Sequence, residues 1–180
     1  IILGYISFLV FSALYTAGQI IDIQIGFGMV NLLDPINDIQ VPLTSNFLYI
    51  LTTILFLMMN GHHILLSAVY KSFSILPIGG FVFREALMQN VVSIFCDVFI
   101  IGFKISAPVL AACLLAEMGL GILARTVPQM NVFVIGMPLK VAVGLFTLLF
   151  MMPVFVKVLN ITFDKMYSYI YIILQNMTKG

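Results

Sequence analysis

Charged residues are scarce in this sequence. Only 8% of the 180 residues are Asp, Glu, Lys or Arg, whereas 62% are apolar. An average soluble domain is about 25% charged and about 45–50% apolar, so a soluble protein with this composition could not cover its surface. Lipid removes that constraint, because apolar side chains can then face outward. Composition alone therefore predicts an integral membrane protein.

A surplus of charge of either sign is also missing. Eight Lys or Arg stand against seven Asp or Glu, which gives a net charge of +1, and no run of like charges occurs. A protein that binds nucleic acid through its phosphates needs a basic surplus on one face. We therefore expect no nucleic-acid partner.

Cysteine is limited to Cys96 and Cys113. If one helix carries both, they lie roughly 25 Å apart along it, whereas a disulfide needs Cα atoms within about 7 Å. Both are predicted to be buried apolar thiols, and zinc spacing is absent. The chain begins inside an apolar run without Met, which we interpret as a fragment lacking its N-terminal part and not as a signal peptide.

The residue patterns of known membrane enzymes are absent as well. A zinc protease needs His-Glu-x-x-His, but the sequence here reads His62-His63-Ile64-Leu65-Leu66. No Gly-x-Ser-Gly nucleophile and no Gly-rich phosphate loop occurs. Asp97 is the only acid in the middle of a long apolar helix, and a single acid cannot form a shared-proton pair. The sequence predicts no enzyme, no cofactor and no metal.

What the sequence does contain is a series of long apolar stretches. The predicted organisation is one all-α, polytopic membrane domain over 1–180. Its parts are apolar and amphipathic helices at 1–33, a loop at 34–46, a helix at 47–70, a loop at 71–89, a helix at 90–118, a link at 119–131 and helices at 132–177. The 47–70 stretch would span roughly 36 Å, enough for a bilayer core of about 30 Å. The helices are expected to form hairpins bent by internal prolines, namely Pro108, Pro138 and Pro153.

Residues 21–29 conflict with this scheme, because apolar and other residues alternate there at every second position. Period alone favours a strand. An isolated strand in lipid would leave its backbone groups unpaired at several kcal/mol each, so we interpret the stretch as helix or bent helix. The Asp34-Pro35 to Pro42 break follows, and Thr44 and Ser45 are candidate caps of the next helix.

Five charged residues are predicted to be buried or to lie between subunits. Asp97 and Lys104 are seven residues apart on nearly one helix face, roughly 10 Å in rise, which is too far for a direct ion pair. Each needs another helix, another subunit or a water-filled cavity as partner, with snorkelling as the alternative. Glu117, Arg125 and Lys140 lie near predicted helix ends, where snorkelling is again the alternative.

His62 and His63 form an adjacent pair. Neighbours on a helix point about 100° apart, so the two imidazoles are not expected to face one metal. We interpret them as a polar pair that hydrogen-bonds to a neighbouring helix. A proton-sensing role and a metal site remain alternatives.

Three passages carry a family resemblance. They are Asn60 to Leu66 followed by Pro77-Ile78-Gly79, the Asp34-Pro35 break with Pro42 behind it, and the string from Gly119 to Lys140. The last contains Ala-Arg-x-x-Pro-Gln-x-Asn-Val-Phe-x-Ile-Gly-x-Pro-Leu-Lys and is the most specific. Together they resemble the FliR family of flagellar export proteins over all 180 residues. The homologous subunit of virulence-type injectisomes is the nearest alternative, and a small-molecule transporter using Asp97 and Lys104 is another.

The resemblance implies a non-enzymatic membrane subunit of the type III export channel in the flagellar basal body of the bacterial inner membrane. The family's helices form bent hairpins, and its members assemble with FliP and FliQ into a conduit for unfolded flagellar subunits. FlhB is a further implied partner. The family also carries a pore plug, which matches residues 25–41 here and places Met29, Leu32, Leu33, Asp34 and Pro35 in it. Positions that are often aromatic in the family correspond here to Met29 and Leu32.

Overall fold

The computed structural model describes residues 2–27, 42–75, 85–127, 129 and 131–177. Within these residues the fold consists of five α-helices and no strand, which confirms the predicted all-α class. The helices are α1 (Ile2–Ile25), α2 (Leu43–Met58), α3 (Gly61–Ile75), α4 (Glu85–Thr126) and α5 (Val132–Met177).

Helix α1 lies at the centre of the bundle. It packs against α2, α4 and α5, and α4 also packs along α5. Its buried side chains recur every three or four residues, as expected for one helix face turned toward neighbours. They include Ile6, Val10, Leu14, Ala17, Ile21 and Ile25, all nearly inaccessible to solvent. The stretch 21–25 is therefore helical, as the cost of unpaired backbone groups in lipid predicted, and not a strand.

Small residues bring the central helix into backbone contact with its neighbours. A Cβ atom placed on Gly18 would lie 2.3 Å from the Cα of Ser45, so no larger residue fits between α1 and α2 there. On another side of α1, a Cβ on Gly102 of α4 would lie 3.0 Å from the carbonyl oxygen of Ala13. Such close approaches at small residues are typical of helix pairs in membranes.

The predicted single helix at 47–70 is wrong. The structure divides it into α2 and α3, which meet at a bend of 68°. Asn60 at the break has a φ of 56°, a left-handed conformation that asparagine tolerates better than most residues. Gly61 follows it beneath the Phe56 ring, where a Cβ would come within 2.3 Å of that ring. The two halves together are still long and apolar enough for one span, so hydropathy does not register the break.

Helix α4 is longer than predicted. It begins at Glu85 and ends at Thr126, so it takes in parts of the predicted loop at 71–89 and link at 119–131. The helices α4 and α5 continue through Pro108, Pro138 and Pro153. The 68° bend thus lies at an Asn-Gly pair and not at a proline.

Three helices, α1, α4 and α5, are long and apolar enough to cross a membrane, and the bent pair α2–α3 counts as a fourth if it forms one span. Much of their apolar surface faces outward. The only buried residue of α3 is Gly61, and the side chains of Phe73, Phe146 and Phe150 are each more than 60% exposed. This is the surface of a protein surrounded by lipid or by other apolar helices.

Candidate functional site at the end of helix α1

The N–H groups in the first turn of α2 donate their hydrogen bonds to a side chain of another helix. The N-cap residue of α2 is Pro42, which has no polar side-chain atom and makes no capping bond. Asp22 of α1, only 5% exposed, fills that role. Its Oδ1 accepts from the Thr44 N–H at 2.8 Å, and its Oδ2 accepts from the N–H and hydroxyl of Ser45, each at 3.1 Å.

The predicted caps Thr44 and Ser45 are therefore inside α2, and the cap comes from Asp22. These are the second and third residues of α2, whose N–H groups a capping side chain normally satisfies. A carboxylate also interacts favourably with the positive end of the helix dipole. Because Pro42 has no side-chain acceptor, the Asp22 side chain of the packed neighbour α1 pairs with these donors.

The opposite side of α1 carries a second polar contact. The Gln24 amide donates to Glu117 of α4 at 3.4 Å, and Glu117 forms a salt bridge with Lys140 of α5. The Lys140 and Glu117 side chains are 20% and 40% exposed. Three helices thus meet at one partly buried carboxylate, which satisfies two of the charges that the sequence predicted to need partners. Both lie well inside their helices and not at the ends.

Close apolar packing between α1, α4 and α5 adjoins this polar contact. A Cβ on Gly144, one turn after Lys140, would lie 2.4 Å from the Ile25 side chain and 3.5 Å from the Cys113 sulfur. Both cysteines are free, and Cys113 is fully buried as predicted, whereas Cys96 is exposed, so its predicted burial is wrong. The last turn of α1 is therefore held by α2 on one side and by α4 and α5 on the other.

This arrangement explains the strand-like alternation at 21–29 as far as the structure describes it. Residues two apart on a helix point about 200° from one another, to nearly opposite sides. Asp22 faces α2, and Gln24 faces α4. A helix between two partners, each needing a polar contact at the same level, produces the polar–apolar alternation that sequence period alone assigns to a strand.

The chain leaves this junction toward the predicted plug. Gly26, with a φ of +97°, follows α1, and the chain re-enters at Pro42 beside the same junction. All five predicted plug residues, Met29, Leu32, Leu33, Asp34 and Pro35, lie outside the described residues. Their role remains a prediction.

The remaining charged residues are dispersed. Asp97 of α4 accepts a hydrogen bond from the Tyr169 hydroxyl of α5 at 2.5 Å, so its partner is another helix of the same chain. Lys104 and Arg125 are exposed and have no ion pair within the described part of the chain. They are not buried in this chain, and their pairing with other subunits stays a prediction.

His62 and His63 lie at the start of α3. Their rings are 4.3 Å apart between centroids, closer than two diverging side chains would be. The expected hydrogen bond to a neighbouring helix is not formed by the Nδ1 atom of His62, which is buried without a partner among the described residues. His63 is exposed. No group of three or more His, Cys, Asp or Glu that could hold a metal occurs in the described ranges.

Apolar spans, outward-facing apolar surface and internally paired polar groups together define a polytopic helical membrane protein. Residues 1–166 match the family of bacterial export proteins, family 1. The chain is 40% identical to the flagellar biosynthetic protein FliR of Bacillus subtilis over 88% of its own length, and 30% identical to FliR of Escherichia coli over 93%. It is 33% identical over 80% to the Yop proteins translocation protein T of Yersinia pestis.

The chain belongs to this family of bacterial export proteins, and the resemblance drawn from the Gly119–Lys140 string is confirmed. It spans less than two thirds of the length of these relatives, namely 63%, 64% and 56% of them.

Replacing Asp22 tests the capping contact. Asp22→Asn keeps the shape but removes the charge that two N–H groups share, so we expect the free energy of unfolding to fall by about 1–2 kcal/mol. For a chain of this size the thermal midpoint drops by about 2–8 °C. The thermal midpoint is measured in detergent with a thiol-reactive dye, in a Cys96→Ser background. The dye reacts with Cys113, which is buried in the folded protein and becomes exposed on unfolding. The matched control is Asp164→Asn, an exposed aspartate on α5, and equal midpoints for both variants would contradict the cap.

Exchanging the ion pair tests the second junction. Glu117→Lys and Lys140→Glu each place two like charges side by side, so each should lower the thermal midpoint. The double exchange brings opposite charges together again and should restore part of the lost midpoint. We expect a coupling of about 1 kcal/mol for a pair this exposed. The same dye measurement applies. Lys104→Glu, on the same helix but exposed, provides the control. Additive losses in the double exchange would show that the pair does not connect α4 to α5.

Proposed function

We propose that this chain is a non-enzymatic core subunit of the flagellar type III protein-export channel and forms part of the conduit for unfolded flagellar subunits. The observation that carries the proposal is its membership of the family of bacterial export proteins, with FliR proteins at 40% and 30% identity. Its place is the bacterial inner membrane, in the flagellar basal body.

Assembly with FliP and FliQ, and contact with FlhB, are part of the proposal. Its structural support is the surface that the chain leaves uncovered. The helix α3 buries only Gly61, and Phe150 of α5 is 77% exposed. Lys104 and Arg125 both lie on α4, which contains a long apolar window, and a charged side chain facing lipid is costly. Helices of other subunits would cover the apolar faces and supply acidic partners.

A second candidate is the homologous subunit of an injectisome. The 33% identity to the Yop proteins translocation protein T favours it. Complementation distinguishes the two. The gene that encodes this chain should restore swimming to a bacterium lacking its own FliR, and it should not restore secretion to a strain lacking the injectisome subunit. The reverse result would assign the chain to the injectisome.

Co-assembly is the direct test. After co-expression with FliP and FliQ, the tagged full-length protein should purify in mild detergent as one large complex that contains all three. Lys104→Glu should lower the recovery of partners, because it replaces an exposed cation with an anion, and Lys104→Arg should not. A stable lone monomer in the presence of both partners would refute the proposed assembly.

The plug is tested by removing residues 29–38. If this segment closes the conduit, its deletion makes the cell envelope permeable to small ions, measured as loss of membrane potential in cells that express the whole complex. A second variant replaces the same ten residues with Gly and Ser, which keeps the length but removes the sealing side chains, and it should leak as well. An unchanged potential in both variants, with the complex intact, removes the plug assignment.

A further inference from the structure

The exposed surface of α3 is divided lengthwise into two rows of side chains. Residues three or four apart on a helix lie on one face, and both rows follow this spacing. The polar row consists of the exposed residues His63, Ser67, Lys71 and Ser74. The apolar row consists of the exposed residues Leu66, Val69 and Phe73. Successive residues of a helix point about 100° apart, so the two rows run side by side along α3.

The remaining side of α3 is turned toward the bundle. Leu65 and Ala68 are partly buried and pack against the apolar core, and Ser72 is partly buried as well. Through this side α3 contacts α5. The polar row and the apolar row therefore both face outward, and the described part of the chain leaves both of them exposed.

The outward surface of α5 has no such division. Its exposed residues between Val134 and Val154 are all apolar, which suits acyl chains or apolar helices. On α3, by contrast, Lys71 faces outward, and it is the only charged residue between Leu43 and Ile75. A charged side chain in the hydrocarbon interior of a bilayer is costly. The two rows of α3 therefore need surroundings that are apolar on one side and polar on the other.

The length and direction of α3 fit a position along the membrane surface. The helix has 15 residues, or roughly 22 Å, which is shorter than a bilayer core of about 30 Å. It leaves α2 at a bend of 68°. If α2 follows the bilayer normal, a bend of this size turns α3 closer to the plane of the membrane than to its normal. A helix in that plane can hold one row in the hydrocarbon and the other among the headgroups along its whole length.

We propose that α3 is an interfacial helix that binds the headgroup region of the lipid bilayer. Its apolar row enters the acyl chains, its polar row faces the headgroups, and the Lys71 ammonium pairs with a lipid phosphate. Tyr70, which is 80% exposed, lies between the two rows. Aromatic rings with a polar tip are enriched at the membrane–water boundary, and helices that lie there carry basic residues on their polar face.

The inference rests on the membrane class of the chain and not on the export role. With α3 in the interface, the bent pair α2–α3 is not a fourth span. In the proposed assembly, other subunits then cover the apolar faces of α4 and α5 and leave the outward side of α3 to the bilayer. The placement of α3 is measured on this chain alone, whereas the assembly is measured by co-purification, so each can fail without the other.

Tryptophan fluorescence tests the placement, because the sequence contains no tryptophan of its own. Four single-tryptophan variants of the whole chain are reconstituted in vesicles of phosphatidylethanolamine and phosphatidylglycerol, namely Leu66→Trp, Ser67→Trp, Phe73→Trp and Ser74→Trp. Lipids brominated on their acyl chains should quench Leu66→Trp and Phe73→Trp to the same extent, and more strongly than the other two. Acrylamide in the water phase should quench Ser67→Trp and Ser74→Trp more strongly, because their side chains lie in the polar row.

A helix α3 that crosses the bilayer would give a different pattern. Residues seven apart along such a helix differ in depth by about 10 Å, so the quenching would follow position along the helix and not the row. Leu66→Trp would then resemble Ser67→Trp, and both would differ from Phe73→Trp and Ser74→Trp. That result would overturn the proposal. Shielding of all four variants from both quenchers would overturn it as well, because it would show that protein, such as a second copy of the chain, covers α3.

Charge reversal at Lys71 tests the contact with lipid phosphate. In the Ser74→Trp background, Lys71→Glu should raise the quenching by acrylamide, because an anion is repelled by the anionic lipid surface, and Lys71→Arg should leave it unchanged. Lys165→Glu, at an exposed lysine of α5, alters the net charge equally and is the matched control. The effect of Lys71→Glu should shrink in vesicles of phosphatidylcholine alone, which carry no net charge. Equal quenching in Lys71→Glu and Lys165→Glu would refute the contact between Lys71 and phosphate.

Discussion

The carboxylate of Asp22 lies between α1 and α2 and accepts three hydrogen bonds from Thr44 and Ser45. In a bilayer each unpaired backbone group costs several kcal/mol, and Pro42 cannot supply the missing acceptor. The start of α2 must therefore lie against α1 at this level, where Gly18 lets the two backbones touch. The position of α2 then determines where the bend to α3 lies, since only two residues separate the end of α2 from the start of α3.

Two further carboxylates inside the bundle also find partners on neighbouring helices. Glu117 accepts a hydrogen bond from Gln24 and forms a salt bridge with Lys140, and Asp97 accepts a hydrogen bond from Tyr169, so these two carboxylates are paired between helices of one chain. The outer surfaces are different. Large apolar side chains are exposed along α3, α4 and the first half of α5, and Lys104 and Arg125 are exposed on α4. This surface fits a subunit whose outer faces are completed by lipid and by neighbouring subunits.

Much of this could be predicted from the sequence. Scarce charge and long apolar runs specify membrane helices because lipid selects on composition, and the Gly119–Lys140 string specifies the family. The helical conformation of 21–25 was also predicted from the sequence, because the cost of unpaired backbone groups in lipid outweighs the strand-like alternation of apolar and other residues. The break at Asn60 was missed, although asparagine and glycine often end helices, because the apolar residues on its two sides together suffice for one span. The extension of α4 to Glu85 and Thr126 was missed because glycines and charges there resembled a loop.

The sequence by itself determined that the chain is helical, lies in a membrane and belongs to a family of bacterial export proteins, because composition and a specific string of residues carry that information locally. Only the tertiary structure decided which polar groups meet. Asp22 and Ser45 are 23 residues apart, and Gln24 and Glu117 are 93 apart. Whether a polar residue inside a membrane faces lipid, a partner helix or a helix end depends on the angles at which the helices pack. A local sequence pattern does not determine those angles.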